Sequence, residues 1–266
     1  WNMGWMNDTL RYLSEEPISR RYHHGELTFS LVYAFSEPFV LPLSHDEVVH
    51  GKGSLWAKMP GDLWAKLAGV RLLLAYQWTH PGKKLLFMGG EFAQNTEWSE
   101  GESLNWPLGD TPEHSGVREM LRQLNHLYRG HRALWADDFT PDGFEWVEAN
   151  DGDHNVLAYL RKDRTGNSPE DGGSDGGQRS TGAESAGGAE LLVVANFAGA
   201  PHEGYRLGVS GPGAWVEVLN TDHTDFGGSG VINTGELAPE PLSWHGRSHS
   251  IQLRLPPLGV TILRRV

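Results

Sequence analysis

Residues 41–52 read LPLSHDEVVHGK, setting two histidines, two carboxylates and a lysine within twelve positions directly after an apolar run. An imidazole beside an ionised carboxylate suits a substrate rich in hydroxyl groups. Asp46 can accept hydrogen bonds from adjacent hydroxyls and His45 can donate one. Such contacts accelerate glycosyl transfer when they tighten around an oxocarbenium-like transition state. A zinc reading fails on spacing: the helical metalloprotease motif needs histidines four apart with Glu second, whereas His45 and His50 are five apart with Asp46 second. Neither a metal nor an organic cofactor is expected. The plain alternative is that His45 and Asp46 satisfy each other's hydrogen bonds within a loop.

Other residues could serve the same substrate. Glu47, His50 and Lys52 share the loop. Glu91 and Trp98 follow a second apolar run, KLLFMG, and Trp5 closes a first one, WNMGWM. Trp98 and Trp106 could stack on sugar rings, although tryptophan more often serves packing. Glu15 and Glu16 lie past a short helical run, where surface carboxylates are ordinary.

The elements that would position these groups alternate. Residues 1–6, 38–43 and 84–89 are short and bounded by turn or polar residues, which predicts buried strands. Residues 62–78 place Leu63, Leu67, Val70 and Leu74 on one helical face, with Asp62 as cap and Pro81-Gly82 past the end. Residues 113–129 repeat the pattern, with Thr111 as cap and Pro112 in the first turn. Strand and helix in alternation predict parallel strands with crossovers. An eight-unit (β/α)8 barrel takes about 250 residues, and its chemistry sits at the C-terminal ends of its strands. Three units fit here, so the remaining strands are expected upstream of Trp1. An open doubly wound sheet would usually carry a glycine-rich phosphate loop after its first strand, and none is present.

From about Asp137 the pattern changes. Short β-rich runs at 144–148, 156–161, 191–197, 205–209, 215–219, 250–255 and 260–263 are separated by Gly, Pro, Asn and Asp, which predicts an antiparallel sandwich. The expected organisation is a partial barrel over 1–136 and an all-β sandwich over 137–266. A Gly-rich stretch at about 163–190 has almost no apolar side chain to offset the entropy of ordering, and is expected to be a disordered loop.

Composition narrows the partners. A net charge of -12 over 266 residues offers no basic patch for nucleic acid or an anionic membrane. No window reaches about 20 uninterrupted apolar residues, so no membrane span is expected. The absence of cysteine agrees with a reducing cytoplasm. The chain opens on Trp1 within an apolar run, which suggests part of something longer.

Five segments in order carry a resemblance: SHDEVVHGK, MPGDLWAKLAGVR, PGKKLLFMGGEFAQNTEW, NFAGAPHEGYRLGV and LPPLGVTILRR. Together they resemble the C-terminal half of the bacterial glycogen (1,4-alpha-glucan) branching enzymes of the alpha-amylase superfamily, over nearly the whole chain outside 163–190. The resemblance implies a glycosyltransferase that cleaves an alpha-1,4-glucan and passes the chain to a 6-hydroxyl. It implies a (β/α)8 barrel, with residues 1–6, 38–43 and 84–89 as its sixth to eighth strands, followed by the sandwich. Asp46 then stabilises the transition state and His45 orients the sugar. Ser44 stands where many superfamily members have Asn, as is normal for branching enzymes. The implied reaction is retaining, with a carboxylate nucleophile and a second carboxylic acid. Both would lie upstream, on the missing N-terminal half of the same barrel, so this chain is expected to be inactive by itself and insoluble or molten in its first half. The rival readings are a maltosyltransferase, a trehalose-releasing hydrolase, or a noncatalytic glucan-binding module using the 11 tryptophans.

Overall fold

The computed structural model describes residues 1–164 and 190–266. The expected disordered stretch therefore falls almost wholly outside the described residues. The chain begins with a helix, Met3–Ser14, where a strand was expected. The Asn2 side chain starts it by accepting from the Trp5 amide at 2.9 Å. Trp5, Met6, Thr9, Leu10 and Leu13, buried together with Tyr12, recur at helical spacing. Six apolar-rich residues are too few to separate a strand from a buried helical turn, and the period becomes visible only when the window runs on to Leu13.

Two strands follow the parallel expectation. β1 (Val40–Leu43) and β2 (Lys83–Leu86) pair in parallel from Val40 opposite Lys83 to Leu43 opposite Leu86. The Leu63–Thr79 helix crosses between them, capped by Asp62, which accepts from the Ala65 amide at 2.9 Å. Every residue of this helix from Leu67 to Thr79 is buried. Gln77 ties it to both strands, its amide donating to the Leu41 carbonyl at 2.9 Å and the Leu85 carbonyl at 3.0 Å. A second long helix, Pro112–Gly130, packs against the first. Thr111 precedes it but does not cap it with its side chain, because its hydroxyl donates to the Leu108 carbonyl at 2.8 Å.

The remaining strands form the expected antiparallel layers. β3 (Phe144–Asp151), β4 (Val156–Arg161), β5 (Leu191–Asn196), β10 (Gly259–Arg265), β7 (Trp215–Asn220) and β8 (Glu236–Leu237) make one sheet in that order. β6 (His202–Val209) and β9 (His249–Leu255) make a two-stranded sheet. β4 and β5 are buried along their whole length because both faces are covered. In β4, Val156, Ala158 and Leu160 meet Leu207, Val209, Ile251 and Leu253 of the smaller sheet, whereas Leu157 and Tyr159 join the helices.

That second face makes one core run through both halves of the chain. Trp5, Leu74, Tyr76 and Leu124 share a cluster with Leu157, Val193, Phe197 and Ile262. Buried guanidinium groups cross the same boundary. Arg20 donates to the Phe197 carbonyl at 2.8 Å, Arg71 to the Thr221 carbonyl at 2.9 Å and Arg161 to the Thr79 carbonyl at 2.7 Å. Among the described residues no helix is long and apolar enough to cross a membrane.

Candidate functional site

The site is built at the end of β1. Ser44 leaves the strand in extended conformation and caps a single turn of 3-10 helix, His45–Glu47. The Ser44 amide donates to Glu47 Oε2 at 2.5 Å and the Ser44 hydroxyl donates to the same oxygen at 2.8 Å. The Asp46 amide in turn donates to Ser44 Oγ at 3.2 Å. This is a capping box, in which side chains meet backbone donors that the short turn leaves open. It faces Glu47 inward, 5% exposed, and leaves the side chains of His45 and Asp46 about half exposed, at 51% and 53%. His45 Nε2 lies 3.3 Å from Asp46 Oδ1.

The end of β2 supplies the neighbouring wall. The Phe87 amide donates to the Leu43 carbonyl at 2.8 Å, continuing the strand pairing by one bond. The Phe87 ring lies 5.9 Å from the His45 ring and meets Trp98 edge-on at 5.3 Å. The Trp98 amide donates to the Val48 carbonyl at 2.8 Å. Phe87 and Trp98 thereby line a small cleft with Leu43, Val48 and Leu55, next to the His45–Asp46 pair.

The remaining candidates divide. His50 and Lys52 are exposed on the loop that leaves the His45–Glu47 turn, and Trp98 is partly exposed above the cleft. Glu91 is committed to local backbone, accepting from the Gly89 amide at 2.7 Å where Gly89 turns through φ +90°. Two expectations need correction. Glu47 is not open on the loop but buried, because both hydrogen bonds that fix the Ser44 corner end on its carboxylate. Trp5 is not at a strand end: it is 1% exposed, 6.4 Å from Tyr76 and 5.9 Å from His80, inside the shared core. Trp106, 52% exposed, packs near Phe92 at 5.7 Å and belongs to a different stretch of surface.

One carboxylate of the site was not foreseen. Glu97 Oε1 accepts from the Gly53 amide at 2.6 Å, and Glu97 Oε2 lies 3.8 Å from His50 Nδ1. The backbone N–H groups of Gly53 and Gly51 hold its carboxyl below the usual carboxylate range. In the sequence, only its place beside Trp98 pointed toward it.

Replacing Glu47 by Ala removes the acceptor for both Ser44 bonds. The expected loss is about 1–2 kcal/mol, the usual cost of a lost cap, read from urea unfolding after the same segment is set in a full-length relative. A midpoint within about 0.3 kcal/mol of the parent's would mean that the capping box contributes nothing.

Chemically, the pair offers one acceptor and one donor to vicinal hydroxyls beside an aromatic wall. Among the described residues no cluster of three or more His, Asp or Glu is arranged to hold a metal ion.

Residues 146–266 match the family described as the alpha amylase C-terminal all-beta domain. The chain is 50% identical over 264 residues to the 1,4-alpha-glucan branching enzyme GlgB of Aquifex aeolicus, covering 99% of this chain and 39% of that protein. It is 54% identical over 259 residues to the 1,4-alpha-glucan branching enzyme GlgB of Frankia casuarinae, covering 97% of this chain and 30% of that one. The fold aligns over the full chain, at TM-score 0.61 and 11% identity, with 35% of a pullulanase from Anoxybacillus sp. LM18-11 crystallised with maltotetraose. The chain thus spans well under half of its curated relatives' length. With about half of its residues identical across nearly its whole extent, the chain is similar to one segment of the 1,4-alpha-glucan branching enzymes.

Proposed function

We propose that the chain supplies the last part of the catalytic barrel (1–136) and the C-terminal sandwich (137–266) of a 1,4-alpha-glucan branching enzyme. The observation that carries this reading is the His45–Asp46 pair, delivered by a capped turn at the C-terminal end of a parallel strand. In this reading β1 and β2 are barrel strands, the Leu63–Thr79 helix is the crossover between them, and the substrate is an alpha-glucan leading to glycogen.

The reaction is a retaining transfer. A carboxylate attacks the anomeric carbon of an alpha-1,4-linked glucose while a carboxylic acid protonates the leaving oxygen. The covalent glycosyl intermediate is then taken by the 6-hydroxyl of another chain, and the alpha configuration returns. Asp46, ionised, grips ring hydroxyls of the glucose that flattens and becomes positive, and its charge is most favourable at that moment. His45 donates to the same sugar. Trp98, His50 and Lys52 bound the glucan path around it. Glu47 and Glu91 shape the loops rather than touch the sugar. The nucleophile and the acid belong to the barrel strands that longer relatives carry beyond the matching segment. The acidic surface suits neutral glucan and no nucleic acid or membrane, and the protein works in the cytoplasm.

The test is a chimera in which this chain replaces the matching segment of the Aquifex aeolicus branching enzyme. New alpha-1,6 linkages on amylose, counted as chain ends after debranching, are expected from the chimera and not from the 266-residue chain by itself. A folded chimera that only hydrolyses amylose, or only makes alpha-1,4 products, would assign the chain to another alpha-amylase relative.

A further inference from the structure

The loop that carries His50 and Lys52 has little of its own to hold it. It turns through Gly51 at φ +81° and Gly53 at φ +71°, conformations that glycine adopts freely. His50 is fully exposed. A Cβ added at Gly51 would meet no atom within 4 Å, so the loop packs against nothing there. Its backbone N–H groups are met in part by the segment after β2. Trp98 pins Val48 through its amide, and one residue earlier the Glu97 carboxylate takes the Gly53 N–H at 2.6 Å. The Gly51 N–H favours the charged form of the same carboxylate, and His50 faces it at 3.8 Å.

A carboxylate that takes a backbone N–H from across a cleft acts as an external clasp, because it supplies an acceptor that the loop's own carbonyls do not. Its place is informative. The Ser44–Glu47 box fixes the turn bearing His45 and Asp46 from within, and it ends at Glu47. Beyond Val48 the Lys52 amide donates to the Val49 carbonyl at 3.0 Å and Lys58 Nζ donates to the Lys52 and Gly53 carbonyls, while the Gly53 N–H is taken by Glu97 from across the cleft. Two carboxylates therefore hold two successive parts of one strand-end loop, one from inside the turn and one from across the cleft.

We propose that Glu97 is a positioning residue for glucan binding, clasping the Gly51–Gly53 segment so that His50 and Lys52 stand at a fixed height beside the His45–Asp46 pair. The proposal rests on the branching-enzyme reading for its substrate. The clasp itself does not.

Glu97→Gln keeps one carbonyl acceptor and removes the charge; Glu97→Ala removes both. In the chimera, amide hydrogen exchange at Gly51 and Gly53 is expected to quicken about tenfold in the Gln variant and further in the Ala variant, with the β1 amides unchanged. In the chimera, KM for amylose is expected to rise about fivefold while kcat stays within about twofold, the mark of lost uniform binding. Glu97→Asp, tested beside them, should recover part of both effects. Unchanged exchange at Gly51 and Gly53 would overturn the clasp, whatever the chimera does. Faster exchange with unaltered KM, or an equal fall in kcat and kcat/KM, would overturn the positioning role. A chimera without any branching activity would refute the branching-enzyme reading, while the exchange data still decide the clasp.

Discussion

Asp46→Asn is expected to lower the branching turnover of the chimera by about 100-fold to 1,000-fold, the range found when one preorganised electrostatic contact to a transition state is removed. The substitution changes charge and almost nothing else. Asn keeps the shape of the side chain and an oxygen that accepts hydrogen bonds, so ground-state contacts to sugar hydroxyls largely survive. It loses the negative charge that opposes the positive charge developing on the flattened ring. The effect should accordingly fall on kcat, with KM within a few-fold. Stability should hardly move. The Asp46 side chain is 53% exposed and its ion-pair contact among the described residues is His45 at 3.3 Å, so a shift beyond about 0.5 kcal/mol is not expected at such a surface position. His45→Ala should cost less, about tenfold, because it removes a single hydrogen bond to the sugar. An Asn variant with more than a tenth of the parent turnover would show that Asp46 does not meet the reacting sugar.

What could be read in the residues, and what could not, follows from the range of each interaction. The Leu63–Thr79 helix was legible because its cap, its apolar face and its stop lie within one window of sequence. So were the sandwich strands, where turn residues punctuate runs buried on both faces. The Met3–Ser14 helix was misread because a six-residue window cannot carry two helical turns, and its burial is decided by Tyr76 and His80, some seventy residues away. Glu47 illustrates a different failure. Ser44-His45-Asp46-Glu47 is a Ser-x-x-Glu capping box in plain sight, and the chemistry suggested by its neighbours obscured it. Glu97 could not have been found in this way. Its partners at Gly51 and Gly53 lie more than forty positions earlier, and no local spacing encodes a carboxylate that works across a cleft.

Asp138→Ala is expected to destabilise the chain by about 3–5 kcal/mol, the usual consequence of leaving one member of a buried ion pair uncompensated. Arg161 is wholly buried at the end of β4. Its guanidinium donates to Asp138 Oδ1 at 2.7 Å, to the Thr79 carbonyl at 2.7 Å and to the Gly143 carbonyl at 3.2 Å. Asp138, also buried, takes a further bond from Lys83 Nζ at 2.9 Å. The cluster therefore joins the end of the crossover helix, the start of β2 and the sandwich. Burial by itself would raise the Asp138 pKa, but the charges of Lys84 and Arg161 and the bonds from Lys83 and Arg161 outweigh it and hold the carboxyl below its ordinary value. A folded-state pKa below the unfolded one contributes stability that is complete above the unfolded value, near pH 3.9, and is lost as pH falls through the folded value. Urea unfolding between pH 7 and pH 3 should thus show a shallower acid loss in Asp138→Ala than in the parent. Replacing both partners, Asp138→Leu with Arg161→Met, removes the stranded charge and should recover part of the loss despite the extra substitution. A single variant within about 1 kcal/mol of the parent would mean that water or a nearby carbonyl satisfies Arg161 once the carboxylate is gone. The link between helix and sandwich would then rest on the apolar core they share.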